Sequence, residues 1–540
     1  MIIINNKFSK TLKFLLNIQM TMVYDIIFIT GEMYFDHPLS GVAILKHLLE
    51  KYGYKVGLIV QPQSEHDIKK LGKPRLFFAI TTGAIDSMLR NYTPLKKPRK
   101  DDPHTKYTEY AKQIPDRAVI VYSNWVKRHF KDSIIVIGGI EASLRRFVHY
   151  DYWDNRLRKP ILIDSRADIL VYGNGEKQVL EIAKRIKHQG NENIYTALSG
   201  IGGTCVIAKE VPENFIVLPS YEEVINSKER FCDMQVMFSV NKNLAQKIDT
   251  RYVLQFKYPC YTSKDLDEYY ELPFKRDTPK ELRGFQFSVV THRGCFGNCN
   301  FCSIALHQGA KVISRSEESI LREIKELTKH EKFKGNIDDL GGPSTNMYGM
   351  DCSGCDTGNC INCAKLNRSN EKLIKLLRKA RKIKGVKNIY IKSGIRHDIA
   401  SDNYLEEVIK HHVFDSLRIA PEHVNIKVLK AMNKCYGNLN NFIAKFNAMK
   451  KNLNNNLKLS FYFMTAHPES SIKEAKELAQ EVKKLKQQGY DIESVQVFTP
   501  TPMTVSTCMY YTGLNPWTKE KLYVPYTYRE KKDQKRVVTE

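Results

Sequence analysis

The second half of the chain alternates short apolar segments with longer amphipathic ones. The apolar segments have the length of strands and lie at 285–291, 336–340, 388–393, 415–419, 458–464 and 494–498. Between them, apolar residues recur at three- and four-residue spacing, which is typical of helices packed on a sheet. These amphipathic segments are 316–329, 371–383, 404–411, 426–432 and 472–488. Such alternation predicts a parallel α/β domain.

The first half of the chain shows a similar alternation with shorter apolar runs. Runs rich in β-branched and aromatic residues lie at 24–30, 55–60, 76–80, 119–122, 134–137 and 169–172. Helical patterns at 42–51 and 178–188 come between and after them. This half therefore predicts a doubly wound, Rossmann-like α/β domain over residues 22–219.

Three further segments do not fit either repeating pattern. Residues 1–21 are predicted to be an amino-terminal extension, because the strand-like run VYDIIFIT follows directly. Residues 220–282 are mixed and polar, which indicates a connecting segment with some helix. Residues 513–540 are rich in lysine and arginine and are predicted to form a basic carboxyl-terminal tail.

The composition is that of a globular protein with a strongly basic surface. Of 540 residues, 42% are hydrophobic and 26% are charged, and the net charge is +25. We find no run of about 18 uninterrupted apolar residues, so no membrane segment is predicted, and a cytoplasmic location is the expectation. The positive charge would attract polyanions and makes RNA a candidate partner. Solvated basic helix faces explain the same charge without any partner.

Cysteine spacing carries the clearest chemical signal. Seven of the twelve cysteines fall between Cys295 and Cys363. Cys295, Cys299 and Cys302 follow the pattern C-x-x-x-C-x-x-C, which chance would give about 0.006 times in this composition. Soft thiolates suit iron or zinc. Three thiolates on a cubane cluster of four irons would leave one iron open for a ligand.

A second group of cysteines lies in a predicted insertion, residues 343–370. Cys352, Cys355, Cys360 and Cys363 read C-x-x-C-x-x-x-x-C-x-x-C. Four thiolates so close together can close a tetrahedral zinc site or hold an auxiliary iron–sulfur cluster. Free or redox-paired thiols are the remaining alternative. The isolated cysteines are predicted to be buried and inert, and they are Cys205, Cys232, Cys260, Cys435 and Cys508.

The loop THRGCFGNCNFC, with Phe301 just before its last cysteine, resembles the radical S-adenosylmethionine (SAM) superfamily. The resemblance implies a [4Fe–4S] cluster on Cys295, Cys299 and Cys302 whose open iron binds SAM. It also implies reductive cleavage of SAM to a 5′-deoxyadenosyl radical, with electrons from a flavodoxin- or ferredoxin-type donor. The implied fold for residues 283–512 is a partial (β/α)6 TIM-like barrel.

The same resemblance suggests further contacts to SAM at the carboxyl ends of the barrel strands. Gly341 and Gly342 resemble the glycine-rich motif of the superfamily, although Pro343 replaces its usual acidic residue. Arg396 and Glu422 follow the third and fourth strands and are candidates to contact the carboxylate or ribose of the cofactor. A structural salt bridge is the alternative role for both.

Longer phrases resemble the YgiQ-type radical SAM proteins over most of the chain, for which no substrate is assigned. These phrases are GEMYFDHPLSG, TTGAIDSMLRNYTP, IGGIEASLRRFVHYDYWDN, DILVYGNGE, IKSGIRHD, LRIAPEH and VFTPTPMTVSTCMYYTG. Two alternatives stay open. One is a zinc-stabilised nucleic-acid-binding module without catalysis. The other is a cobalamin-dependent radical SAM methyltransferase, whose D-x-H spacing is absent because Asp36 and His37 are adjacent.

Overall fold

The computed structural model describes residues 23–99, 114–190, 193–278, 280–352, 354, 360–434 and 439–540. The predicted extension, residues 1–21, lies outside them. The strands are β1 Ile26–Thr30, β2 Val56–Val60, β3 Phe77–Thr81, β4 Ile134–Ile137, β5 His149–Asp151, β6 Arg156–Arg158, β7 Ile169–Val171, β8 Thr204–Ala208, β9 Ile216–Leu218, β10 Leu244–Ile248, β11 Arg251–Gln255, β12 Val289–Val290, β13 His292–Arg293, β14 Ile313–Ser314, β15 Asn336–Ile337, β16 Leu340–Gly341, β17 Asn388–Ile389, β18 Ser416–Glu422, β19 Lys458–Thr465 and β20 Asp491–Val497.

The helices of the described residues are α1 Gly41–Lys51, α2 Ser87–Asn91, α3 Ala118–His129, α4 Gly139–Ser143, α5 Ile161–Asp164, α6 Glu176–His188, α7 Ile194–Leu198, α8 Tyr221–Asn226, α9 Lys228–Met237, α10 Ser263–Tyr270, α11 Ile304–Gln308, α12 Glu317–Leu327, α13 Glu371–Arg381, α14 Asp402–His411, α15 Ile426–Ala431, α16 Leu439–Asn452, α17 Ile472–Gln487, α18 Val505–Thr512 and α19 Tyr528–Thr539. Residues 119–122, predicted as a strand, lie inside α3, because their apolar side chains form a buried helical face with later residues.

A nine-stranded sheet organises the amino-terminal half, in the order β2-β1-β3-β4-β7-β8-β11-β10-β9. Its first five strands are parallel. Alternate residues of β1 enter different cores, since Ile27 packs in one apolar cluster and Ile26 in another. Helices α1 and α6 contribute to the second cluster, and α3 contributes to the first. The doubly wound character predicted for this half is therefore confirmed.

The segment 220–282 differs from the predicted connection, because it completes the sheet. Strands β10 and β11 form an antiparallel hairpin that pairs with β8 on one side and β9 on the other. The polar residues that suggested a linker are buried here. Gln255 accepts a 2.8 Å hydrogen bond from Arg146 Nε, and Gln246 accepts a 2.9 Å bond from Val148 N. Hydrogen bonding satisfies both side chains inside the core.

The carboxyl-terminal half has the parallel pairings of a partial (β/α)6 barrel, which confirms the predicted fold class. Strand β12 pairs with β16, β15 pairs with β17, and β18, β19 and β20 form one sheet. The predicted second strand is divided into β15 and β16, which pair with its two neighbours. The apolar residues of the barrel strands pack with those of α12, α13, α14 and α17 in one core. All six predicted strand segments contain strands of this domain.

Residues 513–540 differ from the predicted tail, because they end in a docked helix. Helix α19 packs against α17 and β20. Its Gln534 accepts a 2.9 Å hydrogen bond from Ala466 N, and its Val538 is 2% exposed in the barrel core. One face of this lysine-rich helix is therefore buried. In the part of the chain that the structure describes, no helix is both long enough and apolar enough to span a bilayer.

Candidate active site

The three cysteines of the C-x-x-x-C-x-x-C motif lie on one loop between β13 and α11. Gly294 begins this loop with a φ of 81°, and a Cβ there would overlap the carbonyl of Lys311, so the turn requires glycine. Burial is the main cause that raises the pKa of the Cys302 thiol to about 12, and negative charge on Cys299 and Cys295 acts in the same direction. Cys299 Sγ lies 3.9 Å from Gly297 O, and a Cβ on Gly297 would lie 3.3 Å from Cys295 Sγ, so these two sulfurs lie beside the same glycine.

Two predicted residues and one further lysine surround Cys299 with charge. The Arg396 guanidinium lies 3.8 Å from Cys299 Sγ and forms a 2.6 Å ion pair with Asp398. Lys434 Nζ lies 3.5 Å from Glu422 Oε1. Burial raises the pKa of Glu422, and the positive charge of Lys434 offsets part of that effect. The structure thus brings Arg396 and Glu422 together beside the cysteine loop, although they come from separate strands.

The predicted glycine pair lies where close packing leaves no room for a side chain. A Cβ on Gly342 would lie 2.5 Å from the His292 ring, and one on Gly341 would lie 2.9 Å from both Ser393 Oγ and Thr345 Oγ1. Thr345 Oγ1 is buried and has no hydrogen-bond partner among the described residues. Both glycines line the cavity described below, although the Gly341 carbonyl already accepts hydrogen bonds from Thr291 N and Oγ1. The unsatisfied Thr345 hydroxyl lies beside them.

The cysteine-rich insertion packs directly against the cysteine loop. Cys352, Cys360 and Cys363 belong to the same apolar cluster as Cys295. Cys355 lies outside the described residues. The insertion therefore lies next to the first cysteine group, at the mouth of the barrel. Within the described ranges, no three cysteine, histidine or acidic side chains converge on a single ion. A cubane cluster needs no such convergence, because each thiolate binds a different iron.

A chamber of about 610 Å³ separates the amino-terminal sheet from the barrel. On one side it is lined by the loops that follow β1, β3, β4 and β7, where Gly83, Gly139 and Gly173 all have positive φ. The other side is formed by residues that flank the cysteine loop, such as His307, and by the glycine pair, which includes Gly342. Carboxyl ends of parallel strands are where ligands bind in such sheets. The chamber has a volume typical of small-molecule sites.

Two half-buried carboxylates line this chamber and were not predicted from the sequence. Glu32 accepts a 2.9 Å hydrogen bond from Ala84 N, and burial raises its pKa. Asp339 accepts a 3.1 Å hydrogen bond from Ser393 N, and burial raises its pKa as well. Each follows or lies within a strand segment near its carboxyl end, which is the signal that could have identified them. The chamber therefore contains two groups suited to bind or transfer a proton.

Buried polar contacts join the two halves around the chamber. Arg293 forms a 2.7 Å ion pair with Glu176 at the start of α6, and its Nε donates a 3.0 Å hydrogen bond to Tyr270. The His307 ring lies 3.0 Å from Ser143 Oγ. These contacts link the residues flanking the cysteine loop to the amino-terminal sheet. They fix the position of the chamber walls relative to each other.

His37 and Asp36, considered above for cobalamin binding, both form contacts within the protein. His37 is fully buried, its Nε2 lies 2.9 Å from Gln286 O, and its Nδ1 accepts a 3.0 Å bond from Leu39 N. Asp36 is paired with His47 at 2.6 Å. Neither side chain points a free donor into the chamber. Neither residue lines the chamber, so neither is a candidate to contact a cofactor bound there.

The isolated cysteines only partly match their prediction. Cys205, Cys232 and Cys508 are buried as expected, and Cys435 lies outside the described residues. Cys260 is exposed, so the prediction that it is buried was wrong. Cys232 and Cys508 also do not stand alone, because their sulfurs are 3.8 Å apart. Sequence separation concealed this contact.

Comparison with known families agrees with this geometry. The profile described as radical SAM N-terminal matches residues 17–288, and that of the radical SAM superfamily matches residues 289–504. A domain of unknown function, DUF3362, matches residues 493–538. The fold and the cysteine loop thus define a radical SAM protein, a class whose domain implies a [4Fe–4S] cluster and SAM.

Similar full-length sequences define the family more closely. A UPF0313 protein of Methanocaldococcus jannaschii is 46% identical, with 95% of this chain and 89% of the relative covered. One from Thermotoga maritima is 41% identical, with 93% of each chain covered. One from Fusobacterium nucleatum is 40% identical, with 96% of each chain covered. The chain therefore belongs to the UPF0313 family of radical SAM proteins, and the resemblance found in the sequence is confirmed.

Solved structures show the same fold at low sequence identity. The radical SAM methyltransferase TsrM of Kitasatospora setae, with cobalamin and a [4Fe–4S] cluster bound, has a TM-score of 0.54 at 11% identity. That comparison covers 90% of this chain and 74% of TsrM. TsrM with tryptophan and a SAM analogue gives a TM-score of 0.51 at 12% identity, covering 89% and 75% of the two chains. This similarity concerns the arrangement of both halves.

Proposed function

We propose that the protein binds a [4Fe–4S] cluster through Cys295, Cys299 and Cys302 and cleaves SAM to begin a radical reaction. When bound, the reduced cluster supplies one electron to the SAM sulfonium, which releases methionine and a 5′-deoxyadenosyl radical that takes a hydrogen atom from the substrate. The membership in the radical SAM superfamily supports an enzyme of this kind. The substrate of the reaction is a separate question.

The observation that carries this proposal is the meeting of three independent sequence features at one place. The cysteine loop, Arg396 and Glu422 come from different strands, and Arg396 lies 3.8 Å from Cys299 Sγ. The donor set fits an iron–sulfur cluster, because the three thiolates are soft ligands on a glycine-containing loop. Positive charge from Arg396 and Lys434 compensates the negative charge that thiolate ligation brings.

Each surrounding residue has a role that its position supports. Gly341 and Gly342 would lie beside the amino group of SAM, because both line the chamber next to the cysteine loop. The backbone of Gly342 is the proposed contact, since the Gly341 carbonyl is already bonded to Thr291. Arg396 is placed to pair with the carboxylate of the cofactor, since its other nitrogens are already held in place by Asp398. Glu422 can accept hydrogen bonds from ribose hydroxyls. These assignments place the methionine end of SAM beside the cysteine loop.

The chamber between the two halves is the proposed substrate site. It adjoins the glycine pair, so a radical formed there would be generated at its wall. Glu32 and Asp339 would recognise polar groups of the substrate or exchange protons with it. A flavodoxin- or ferredoxin-type protein is the proposed electron donor, and the basic surface favours such acidic partners.

The insertion is proposed to hold a second metal centre through its four cysteines. The packing of Cys352, Cys360 and Cys363 against the cysteine loop supports this. Four thiolates leave no open coordination position, which suits a structural zinc or an electron-relay cluster. Metal analysis distinguishes the two, because only the second adds iron and sulfide. Either centre would stabilise the mouth of the barrel.

Anaerobic reconstitution tests the proposed chemistry. Protein supplied with iron, sulfide, SAM and a strong reductant is expected to form 5′-deoxyadenosine and methionine in equal amounts, measured by liquid chromatography. Removal of iron with a chelator should abolish both products, because the electron has no other route. Zinc at both cysteine groups with no 5′-deoxyadenosine would favour the rival function, a zinc-stabilised nucleic-acid-binding module.

Replacement of Gly297 by alanine tests the role of Arg396. A Cβ at Gly297 would overlap Arg396 Nη1, so the guanidinium must move away from the cysteine loop. We expect formation of 5′-deoxyadenosine to fall about ten-fold, through weaker SAM binding, while the fold is retained. Gly284→Ala is the matched control, because nothing lies within 4 Å of a Cβ there. Equal rates for the two variants would exclude this role of Arg396.

A cobalamin-dependent methyltransferase is a second candidate function, which the chamber favours. Its position at the carboxyl ends of β1, β3, β4 and β7 is the place where a doubly wound sheet binds cofactors. The TsrM fold, solved with cobalamin, supports the comparison. Hydroxocobalamin should then co-purify or bind with a changed visible spectrum. Because both nitrogens of His37 are engaged, His37→Ala should leave that spectrum unchanged, and absence of binding would reject this candidate.

A further inference from the structure

A second cavity, remote in sequence from the cysteine loop, is built from tyrosines and lysines. This tyrosine–lysine pocket has a volume of about 600 Å³ and shares no lining residue with the chamber. Six tyrosines and three lysines line it, together with Leu95 and Asn155, and its lining contains no acidic residue. The residues come from the segment after α2, the β5 region, α9, α18 and α19 with the residues just before it. Nothing in the proposed radical chemistry uses this pocket.

The pocket contains a buried lysine without a counter-ion. Lys531 is 3% exposed, and its Nζ donates hydrogen bonds of 2.9 Å to Tyr152 Oη and 2.7 Å to Tyr510 Oη. Among the described residues it has no ion-pair partner within 4 Å. Burial and, to a smaller extent, the positive charge of Lys96 lower the pKa of Lys531 to about 8, with Glu530 acting in the opposite direction. A buried ammonium held by neutral hydroxyls favours the arrival of an anion.

A second lysine faces the same space. Lys96 Nζ lies 4.6 Å from the centre of the Tyr152 ring, and Lys531 Nζ lies 4.8 Å from the same centre. Both lysines line the same pocket, and the positive charge of Lys96 acts unfavourably on the Lys531 ammonium. The carboxylates that act on these lysines are engaged elsewhere. Asp151 and Asp154 each form a 2.8 Å ion pair with Arg117, and Glu530 caps α19 through Thr527. One phosphate between the two lysines would relieve the repulsion.

The tyrosines give the pocket flat walls that extend to the surface. Tyr526 and Tyr528 are 50% and 46% exposed, while Tyr510, deeper in the pocket, is 4% exposed. The Tyr510 and Tyr526 rings have centres 5.3 Å apart at an angle of 63°. An exposed aromatic face beside a deep positive charge suits a ligand that carries both a planar ring and an anionic group.

We propose that the tyrosine–lysine pocket binds a phosphorylated nucleoside. The phosphate would lie between Lys96 and Lys531, and the base would stack on the exposed rings of Tyr526 or Tyr528. The net charge of +25 would attract either a free nucleotide or the phosphorylated end of an RNA strand. These two sources share the same recognition chemistry. The proposal does not depend on cluster or SAM, so it stands or falls separately from the proposed function.

Calorimetric titration of the full chain tests the proposal, with adenosine 5′-monophosphate (AMP) as the probe. Lys96→Gln and Lys531→Gln are each expected to weaken AMP binding about ten-fold, because each removes one charge from the phosphate. Tyr526→Ala should weaken AMP about five-fold but leave inorganic phosphate unaffected, since only the base contacts the ring. Lys483→Gln, on the exposed face of α17, removes the same charge elsewhere and should change nothing.

The outcomes separate support from refutation. AMP binding that depends on both lysines and on Tyr526 supports the pocket, and thermal melts confirm that each variant is folded. A 5′-phosphorylated RNA tetranucleotide that binds at least about ten-fold more tightly than AMP identifies RNA as the source, whereas equal binding identifies a free nucleotide. AMP affinity that is unchanged in Lys96→Gln, no saturable binding at all, or equal binding of AMP and phosphate would overturn the proposal.

Discussion

Replacing Cys299 by alanine is expected to lower 5′-deoxyadenosine formation at least about 1000-fold. Two thiolates cannot hold a cubane cluster as firmly as three, so the electron source for SAM cleavage is lost. Cys299 is also the sulfur that lies 3.8 Å from Arg396, so its loss removes one contact of a guanidinium that Asp398 continues to hold. The measurements are iron and sulfide content, the visible absorption of the cluster and the product formed under anaerobic reduction.

Cys260→Ala provides the matched control for this prediction. Cys260 is exposed and lies outside both cysteine groups, so its removal tests for a general effect of losing a thiol. The control should retain full iron content and full product formation. If Cys299→Ala kept the cluster and the activity, the assignment of the C-x-x-x-C-x-x-C loop as the cluster site would be wrong.

Local patterns predicted most of the fold, and the exceptions have a common physical cause. Strands that are buried on both faces are apolar throughout, so they stand out in the sequence. The hairpin of β10 and β11 does not stand out, because Gln246 and Gln255 occupy core positions. Their side-chain amides form hydrogen bonds with residues far away in the sequence. Helix α19 was similarly concealed, since most of its residues are charged and only one face, which includes Val538, is buried.

The residues of the candidate site also fall into those that local sequence patterns predict and those that they do not. Cysteine spacing is a local property, and residues at strand ends follow from the strand pattern, so the loop, Arg396 and Glu422 could be predicted. Lys434 could not, because it reaches Glu422 only once two separate segments of the barrel pack together. The chamber carboxylates do lie at strand ends, but their presence in one chamber depends on how the two halves meet. The chamber exists only through contacts between residues far apart in the sequence, of which the ion pair of Arg293 with Glu176 is one.

The contribution of that ion pair to the stability of the junction between the halves can be measured. Arg293→Met leaves Glu176 buried without its partner, and breaking a buried pair in this way costs about 3–5 kcal/mol. Both residues are less than one-tenth exposed, and Arg293 also loses its hydrogen bond to Tyr270. We expect the first unfolding transition in urea to move to a markedly lower concentration. The measurement uses cluster-free protein and circular dichroism, so that loss of metal does not contribute.

Two comparisons show whether the unpaired charge causes the loss. Lys51→Met removes an exposed partner of Glu268 at 2.8 Å, which should cost less than about 1 kcal/mol. The double variant Arg293→Met with Glu176→Gln should recover part of the lost stability, because no charge is then left buried. The free energy of unfolding of Glu176→Gln alone completes the comparison. If the losses of the two single variants simply added up in the double variant, the two side chains would act independently. The ion pair would then not be what holds the chamber walls together.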